Sequence, residues 1–263
     1  MTAPTIHTLG RRDRMVICVC IGAVIVLAWG DLLLIDHRMS PTMRDNATML
    51  EMGMSMTVPW GIADVLFMTG MWIVMMVAMM AGSAMPVLLL FGALRTERRE
   101  DHVRLAVLAF ALGYGVIWVA FSAGAAIMQW RLHDAALLSP AMSASSPRMA
   151  GSALMIAGAY QWTPFKEACL SHCRNPLGFL MTNWRDGTIG AVRMGIGHGA
   201  YCLGCCGALM CVLFVVGIMN LAWVAALSLF ILAEKIGPAF VVVSRGAGAL
   251  MIVSGAMVLA GLV

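Results

Sequence analysis

Charged side chains are scarce in this 263-residue chain, making up 11% of it, where a soluble domain carries about 25%. Charge at less than half the usual level cannot cover a water-facing surface, which excludes a cytosolic enzyme, a disordered tail and a nucleic-acid binder. No phosphate-binding loop, zincin motif or Ser–His–Asp set is present. There is no internal repeat and no segment that reads as a soluble domain with its own core. No small-residue cleavage site closes the first apolar run, so that run reads as a retained helix rather than a removed signal.

Apolar side chains are what the chain has instead. They form 61% of it, and the mean hydropathy is +0.89. A helix needs about 20 mostly apolar residues to cross a bilayer. The expectation is therefore an all-α, polytopic transmembrane helical bundle of about seven helices in a single integral membrane domain, 1–263. The helices are expected at about 15–35, 62–94, 103–130, 149–165, 196–217, 221–234 and 246–263. The fourth is the weakest, because Pro164 interrupts a short apolar run; if it is only half inserted, the count falls to six.

Basic residues test the orientation, since cytoplasmic loops carry the excess. With the N-terminus inside, the inner segments hold Arg11, Arg12, Arg14, Arg95, Arg98, Arg99, Arg104, Lys166, Arg174, Arg185, Arg193, Lys235 and Arg245. The outer segments hold only Arg38, Arg44, Arg131 and Arg148. This asymmetry predicts N-in/C-out and accounts for the net charge of +4 without a basic binding face. The expected location is the bacterial cytoplasmic (inner) membrane, multi-pass, with the lipid bilayer as partner. Residues 36–61 and 131–148 are expected as outer loops, and 166–195 as the longest cytoplasmic connection.

The eight cysteines are not scattered. Cys169 and Cys173 bracket His172 in CLSHC, while Cys202, Cys205, Cys206 and Cys211 follow His198 in HGAYCLGCCGALMC. Both groups are expected at cytoplasmic helix ends, a reducing compartment that argues for metal or thiol chemistry rather than structural disulfides. At 100° per residue, with His198 at zero, Cys202 falls at about 40°, Cys205 at about −20°, Cys206 at about 80° and Met194 at about −40°. These side chains share a face. Cys169, His172 and Cys173 share another at helical spacing. Thiolates with imidazole suit Cu(I) and Zn(II). The alternative is packing, because cysteine also behaves as a small buried hydrophobe, and the Gly195–Gly199 GxxxG beside the cluster suits close helix contact. Cys18, Cys20 and Cys211 read as packing.

Methionine supplies a second pattern. Thirteen of the 25 lie between residues 39 and 85. Met49, Met52, Met54 and Met56 fall in the expected outer loop, and Met68, Met71, Met75 and Met79 recur at helical spacing beside Trp72 and Met76. A thioether is a soft, uncharged ligand for Cu(I). Met52, Met54 and Met56 are candidate outer ligands, and Met71, Met75 and Met79 candidate relay ligands or packing. Asp31, Asp36, His37, His133 and Asp134 near the outer ends are either a carboxylate–imidazole site or a solvated interface, the latter favoured. Gln161, Lys166 and Glu167 flank the Cys169 group and could orient ligands. Glu234 and Lys235 are expected as an interfacial pair ending the sixth helix.

The strings WIVMMVAMMAGSAMP, AGAYQWTPFKEACLSHCRNPLGFL, MGIGHGAYCLGCCGALM and GIMNLAWVAALSLFILAEK resemble an uncharacterised bacterial family of predicted metal-binding integral membrane proteins. The resemblance runs from about Trp60 to about Lys235 and rests on the combined cysteine blocks. It implies metal binding through the Cys, His and Met blocks and supplies no activity. That family's proline after AMM is replaced here by Ala81, Gly82 and Ser83.

The reading that follows is a membrane protein binding a soft transition metal, copper with zinc as the alternative. Its role would be uptake, delivery or metalloenzyme assembly, with a metallochaperone or membrane-complex partner and no nucleic acid. The competing readings are a membrane thiol redox enzyme using Cys202 and Cys205, and a non-catalytic structural subunit of a membrane complex.

Overall fold

The computed structural model describes residues 9–51, 60–135, 137–138, 146–218, 220–238 and 240–262. Its elements are all helical: α1 (Arg11–Glu51), α2 (Ile62–Glu97), α3 (Val103–Asp134), α4 (Pro147–Tyr160), α5 (Pro164–Arg174), α6 (Pro176–Thr182), α7 (Gly187–Cys211), the single turn α8 (Leu213–Val216), α9 (Leu221–Ile236) and α10 (Phe240–Leu259). No β-strand occurs among the described residues.

Among the described residues five helical stretches, not seven, are long and apolar enough to cross a membrane: Arg11–Arg38, Ile62–Glu97, Val103–Asp134, Gly187–Val216 and Val241–Leu259. The expected fourth span stops at Tyr160 after 14 residues, and α9 has 16, so each is shorter than the ~20 residues a crossing needs. Both end against the middle of a longer neighbour. The Tyr160 hydroxyl, closing α4, donates to the Gly204 carbonyl of α7. Lys235, in the last turn of α9, reaches Cys202 of α7 and Ser83 of α2. The expected loop at 36–61 is helical as far as Glu51, and the expected connection at 166–195 is largely α5, α6 and the first turns of α7.

Local sequence accounts for these joints. Proline at the first position opens α4, α5 and α6, where its missing N–H costs no hydrogen bond. The Thr163 hydroxyl caps α5 by accepting from Lys166 N at 3.3 Å, and Asn175 caps α6 by accepting from Gly178 N at 3.1 Å. The α4–α5 joint is thus written in Gln161-Trp162-Thr163-Pro164. Helix α2 continues unbroken through Pro86, at a point the absence of proline at 81–83 did not mark.

Helices α2 and α3 are antiparallel. Trp72 donates to Gln129 at 2.8 Å near one end, and Phe91 packs on Phe110 at 5.0 Å near the other. Helix α7 runs parallel to α3 in very close contact. A Cβ at Gly113 would lie 2.2 Å from the Val192 carbonyl oxygen, and one at Gly195 would lie 2.0 Å from that of Phe110. The expected GxxxG therefore acts as a helix-contact motif, with Gly199 against Ile117. A second antiparallel pair, α4 with α10, meets through Gly151 and Gly255 and through Gly158 and Gly248. The core lies where α2, α3, α7 and α9 converge, around Trp72, Phe91, Phe110, Leu209 and Met210.

Candidate metal centre

Helix α7 starts at Gly187, nine residues before the expected Ile196. Cys202 therefore lies about 22 Å along the helix from its first residue, at 1.5 Å rise per residue. The cysteines sit at mid-helix, not at a helix end as the sequence suggested. The cause is Arg193, which looked like the edge of a span and instead falls inside the helix.

The expected shared face exists. Met194, His198, Cys202, Cys205 and Cys206 are all buried, while Cys211 on the opposite side is exposed. Helix α5 lies across this face. Its Cys169 sulfur would be 2.6 Å from a Cβ at Gly204, so the absence of a side chain at 204 is what lets α5 settle onto α7. One turn on, Cys173 Sγ comes to 3.9 Å from Cys205 Sγ. The Sγ atoms of Cys173, Cys202 and Cys205 all lie within 4.8 Å of one another, the one such group of three or more Cys, His, Asp or Glu ligands among the described residues.

That spacing can be compared with a bound ion. Metal–sulfur bonds of about 2.3 Å place three sulfurs about 4.0 Å apart in a trigonal plane and about 3.8 Å apart in a tetrahedron. The 3.9 Å between Cys173 and Cys205 falls between the two. A site of sulfur donors alone favours a soft ion such as Cu(I).

The third thiol has polar neighbours that spacing rules did not reveal. Lys235 Nζ donates to Cys202 Sγ at 3.1 Å and to Ser83 Oγ at 2.9 Å. The Tyr114 hydroxyl is 3.0 Å from the same sulfur. A cation and a phenol converge on this one sulfur, and the ammonium offsets the negative charge that develops there when a cysteine ligates a metal. Lys235, expected as half of an interfacial pair, is half-buried and contacts the trio through Cys202. The Cys202 carbonyl, in turn, accepts from the Cys205 thiol at 3.1 Å and the Cys206 thiol at 3.0 Å, fixing both sulfurs. Outside the long helices, burial and the neighbouring Cys205 push the Cys169 thiol above its ordinary pKa.

His198 is buried among the rings of Phe179, Phe110 and Tyr114 at 5.2–6.1 Å, and its Nδ1 has no hydrogen-bond partner among the described residues. His172 is held away from the trio, stacked on Tyr201 at 4.1 Å with Nδ1 2.8 Å from the Ala168 carbonyl. Cys206 lies 3.9 Å from Met80 Sδ. Met71, Met75 and Met79 are buried in the core, where Met71 and Met75 face Asp36, Ile218 and Val224. Met52, Met54 and Met56 lie outside the described residues. His133 stacks on Trp60 at 4.4 Å. Sequence spacing missed Met80, Tyr114, Ser83 and Lys235. A usable signal was Lys235 itself, a basic residue in the last turn of a largely apolar helix.

Gln161 and Lys166, expected to orient ligands, form a buried polar knot beside the centre. Lys166 Nζ pairs with Glu234 at 2.6 Å, donates to Ser244 Oγ at 3.0 Å and also reaches Gln161. Glu234 and Lys166 are both about 1% exposed, so the expected interfacial role for Glu234 does not hold. The pair pins α5 to α9 one residue from Lys235, and so sets where both the α5 thiol and the ammonium stand. Glu167 is at the surface, 4.0 Å from Arg245.

A family profile described as PpoB2, copper chaperone, matches residues 69–258. The chain belongs to this copper chaperone family. The matched stretch includes every residue of the thiol trio, Met80, Tyr114 and Lys235, and excludes the methionines at 39–56. Its copper chaperone description agrees with the metal-related family that the cysteine blocks resembled and with a copper-related function for this chain. No curated protein and no solved structure matches the chain.

Proposed function

We propose that this protein is an integral membrane copper chaperone that holds Cu(I) on Cys173, Cys202 and Cys205 and passes it to an acceptor during metalloenzyme assembly. The observation that carries the reading is the convergence of three thiols, from two different helices, on one buried point faced by an ammonium. Cu(I) is favoured over zinc because the trio offers three soft sulfurs where zinc takes four ligands, and no imidazole or carboxylate joins them among the described residues. Membrane placement is supported by the five long apolar helices and by the exposed Leu105, Leu108, Leu112, Val116 and Val119 along α3, an apolar surface that lipid would cover. The excess of basic residues in the segments expected inside supports an N-terminus inside and a C-terminus outside the bacterial inner membrane. The chain acts by binding and ligand exchange, with a metallochaperone or a membrane complex as its partner, and not by catalysis.

The test is elemental analysis of detergent-purified protein after anaerobic loading with Cu(I), set against a variant with Cys173, Cys202 and Cys205 replaced by Ser. The expected result is bound copper in the wild type and its loss from the trio in the variant. Absence of copper from a folded wild type, or equal copper in both, overturns the assignment.

A further inference from the structure

Methionine inside a helical core ordinarily fills irregular gaps. Two methionines on α2 also stand beside open space. Met76 and Met80, one turn apart, line an apolar cavity of about 310 Å³ between α1, α2 and α3. Cys20 of α1 and Tyr114 of α3 line the same cavity. Two lining residues touch the thiols: Tyr114 at Cys202, and Met80, whose Sδ stands 3.9 Å from Cys206 Sγ. Cys206 in turn is tied to the trio, since its thiol and that of Cys205 share the Cys202 carbonyl.

We propose that Cys206 and Met80, with Met76 beside them, form a second Cu(I) site in tandem with the thiol trio, which makes the protein a two-copper carrier. This rests on the copper-chaperone reading above and adds a site to it. The geometry supports a shared ion. With metal–sulfur bonds of about 2.3 Å, two sulfurs 3.9 Å apart subtend about 116° at an ion between them, which leaves an open coordination direction for Met76 or an incoming ligand. The donor types set the order of affinity. A thiolate with a thioether leaves the ion less compensated than three thiolates do, so the second site is the weaker and exchanges faster. Copper stays in the +1 state throughout and no electron moves. Each cysteine that becomes a ligand gives its proton to the surrounding buffer, and a methionine gives none. An ion can then pass from Met80–Cys206 to the trio by exchanging sulfurs one at a time.

The experiment is an anaerobic Cu(I) titration of the full-length protein in detergent against a chromophoric Cu(I) chelator, on wild type and Met80→Leu. Leucine nearly conserves volume, a swap that cores tolerate, and circular dichroism with elution volume reports folding. A third sample, Cys206→Ser, removes the other donor and guards against failure of the first variant to fold. The wild type is expected to bind about two copper ions, with the weaker lost in both variants and the tighter retained. A wild type that binds a single ion, or a Met80→Leu protein that still binds two, overturns the second site and leaves the chaperone reading standing. A folded wild type that binds none overturns the chaperone reading itself.

Discussion

Replacing Lys235 with Leu isolates the contribution of one charge to copper affinity. Lys235 Nζ makes two contacts, at 3.1 Å to Cys202 Sγ and 2.9 Å to Ser83 Oγ. Losing the second leaves little damage, because the Ser83 hydroxyl already donates to the Met80 carbonyl at 2.9 Å. Losing the first removes a charge-assisted hydrogen bond to a sulfur buried at mid-helix. Such bonds contribute about 1.5–3 kcal/mol, equivalent to a roughly 10- to 150-fold weaker Cu(I) Kd. The loss falls on the bound state, because three thiolates around one Cu(I) carry a net negative charge that the ammonium offsets. Screening by salt acts on exposed charges far more than on enclosed ones, so the difference is expected to persist at high ionic strength. Competition against a Cu(I) chelator at low and high salt measures both quantities. Lys235→Arg, which keeps the charge, is expected to recover part of the affinity. A folded Lys235→Leu protein whose Kd stays within about threefold of wild type, or an effect that vanishes with added salt, refutes the assignment of Lys235 to the metal centre.

The buried pair gives a contrast in stability. Glu234→Gln strands the Lys166 ammonium and is expected to cost about 3–5 kcal/mol, whereas Asp13→Asn breaks the exposed Arg104 pair and costs at most about 1 kcal/mol; thermal melts in one detergent compare them. Gly113→Ala forces a Cβ to 2.2 Å from the Val192 carbonyl, rigid backbone that can move only if α3 and α7 separate. The expected loss is about 1–3 kcal/mol or more, with Gly115→Ala, which meets nothing within 4 Å, as the neutral control in the same melt.

Much of the site was legible because helical spacing is local. His198, Cys202, Cys205 and Cys206 stand on one face at 3.6 residues per turn whatever surrounds the helix, and their burial follows. Cys211 falls on the other side by the same arithmetic. What spacing could not supply is which second helix meets that face and at what depth. Cys173 joins the trio while His172, its neighbour in sequence, stacks outward on Tyr201, a choice made by the angle at which Gly204 admits α5. The methionine pattern is ambiguous for a related reason. The run MMVAMM offers two adjacent faces, and sequence alone does not say which one looks at α7. Met79 was favoured by its register with Met71 and Met75, yet Met80 touches the thiols. The helix count failed at α4 and α9 because hydropathy measures whether a segment tolerates an apolar setting, and both do. It does not measure whether the segment reaches the far side.

These two short helices bear directly on how the site works. Because α4 and α9 end at mid-height, they bring residues 161–166 and 234–235 to the level of Cys202, where a full crossing would have carried them past it. A lysine there would be costly on a continuous lipid-facing helix. Here Lys166 is matched by Glu234, and Lys235 stands against a sulfur that its charge makes a better ligand. The same joint turns the chain into α5, which carries Cys173. Shortening two helices thus places a thiol and a cation at one point inside an otherwise apolar bundle. In the proposed chaperone, that arrangement binds Cu(I) through side chains that approach from outside α7. A rigid-body shift of α5 and α9, which the Lys166–Glu234 pair couples, would withdraw Cys173 and Lys235 together and release the ion. The coupling predicts that Glu234→Gln, besides lowering stability, raises the Cu(I) off-rate measured by chelator capture. An unchanged off-rate in the folded variant would mean that the two helices hold the metal independently.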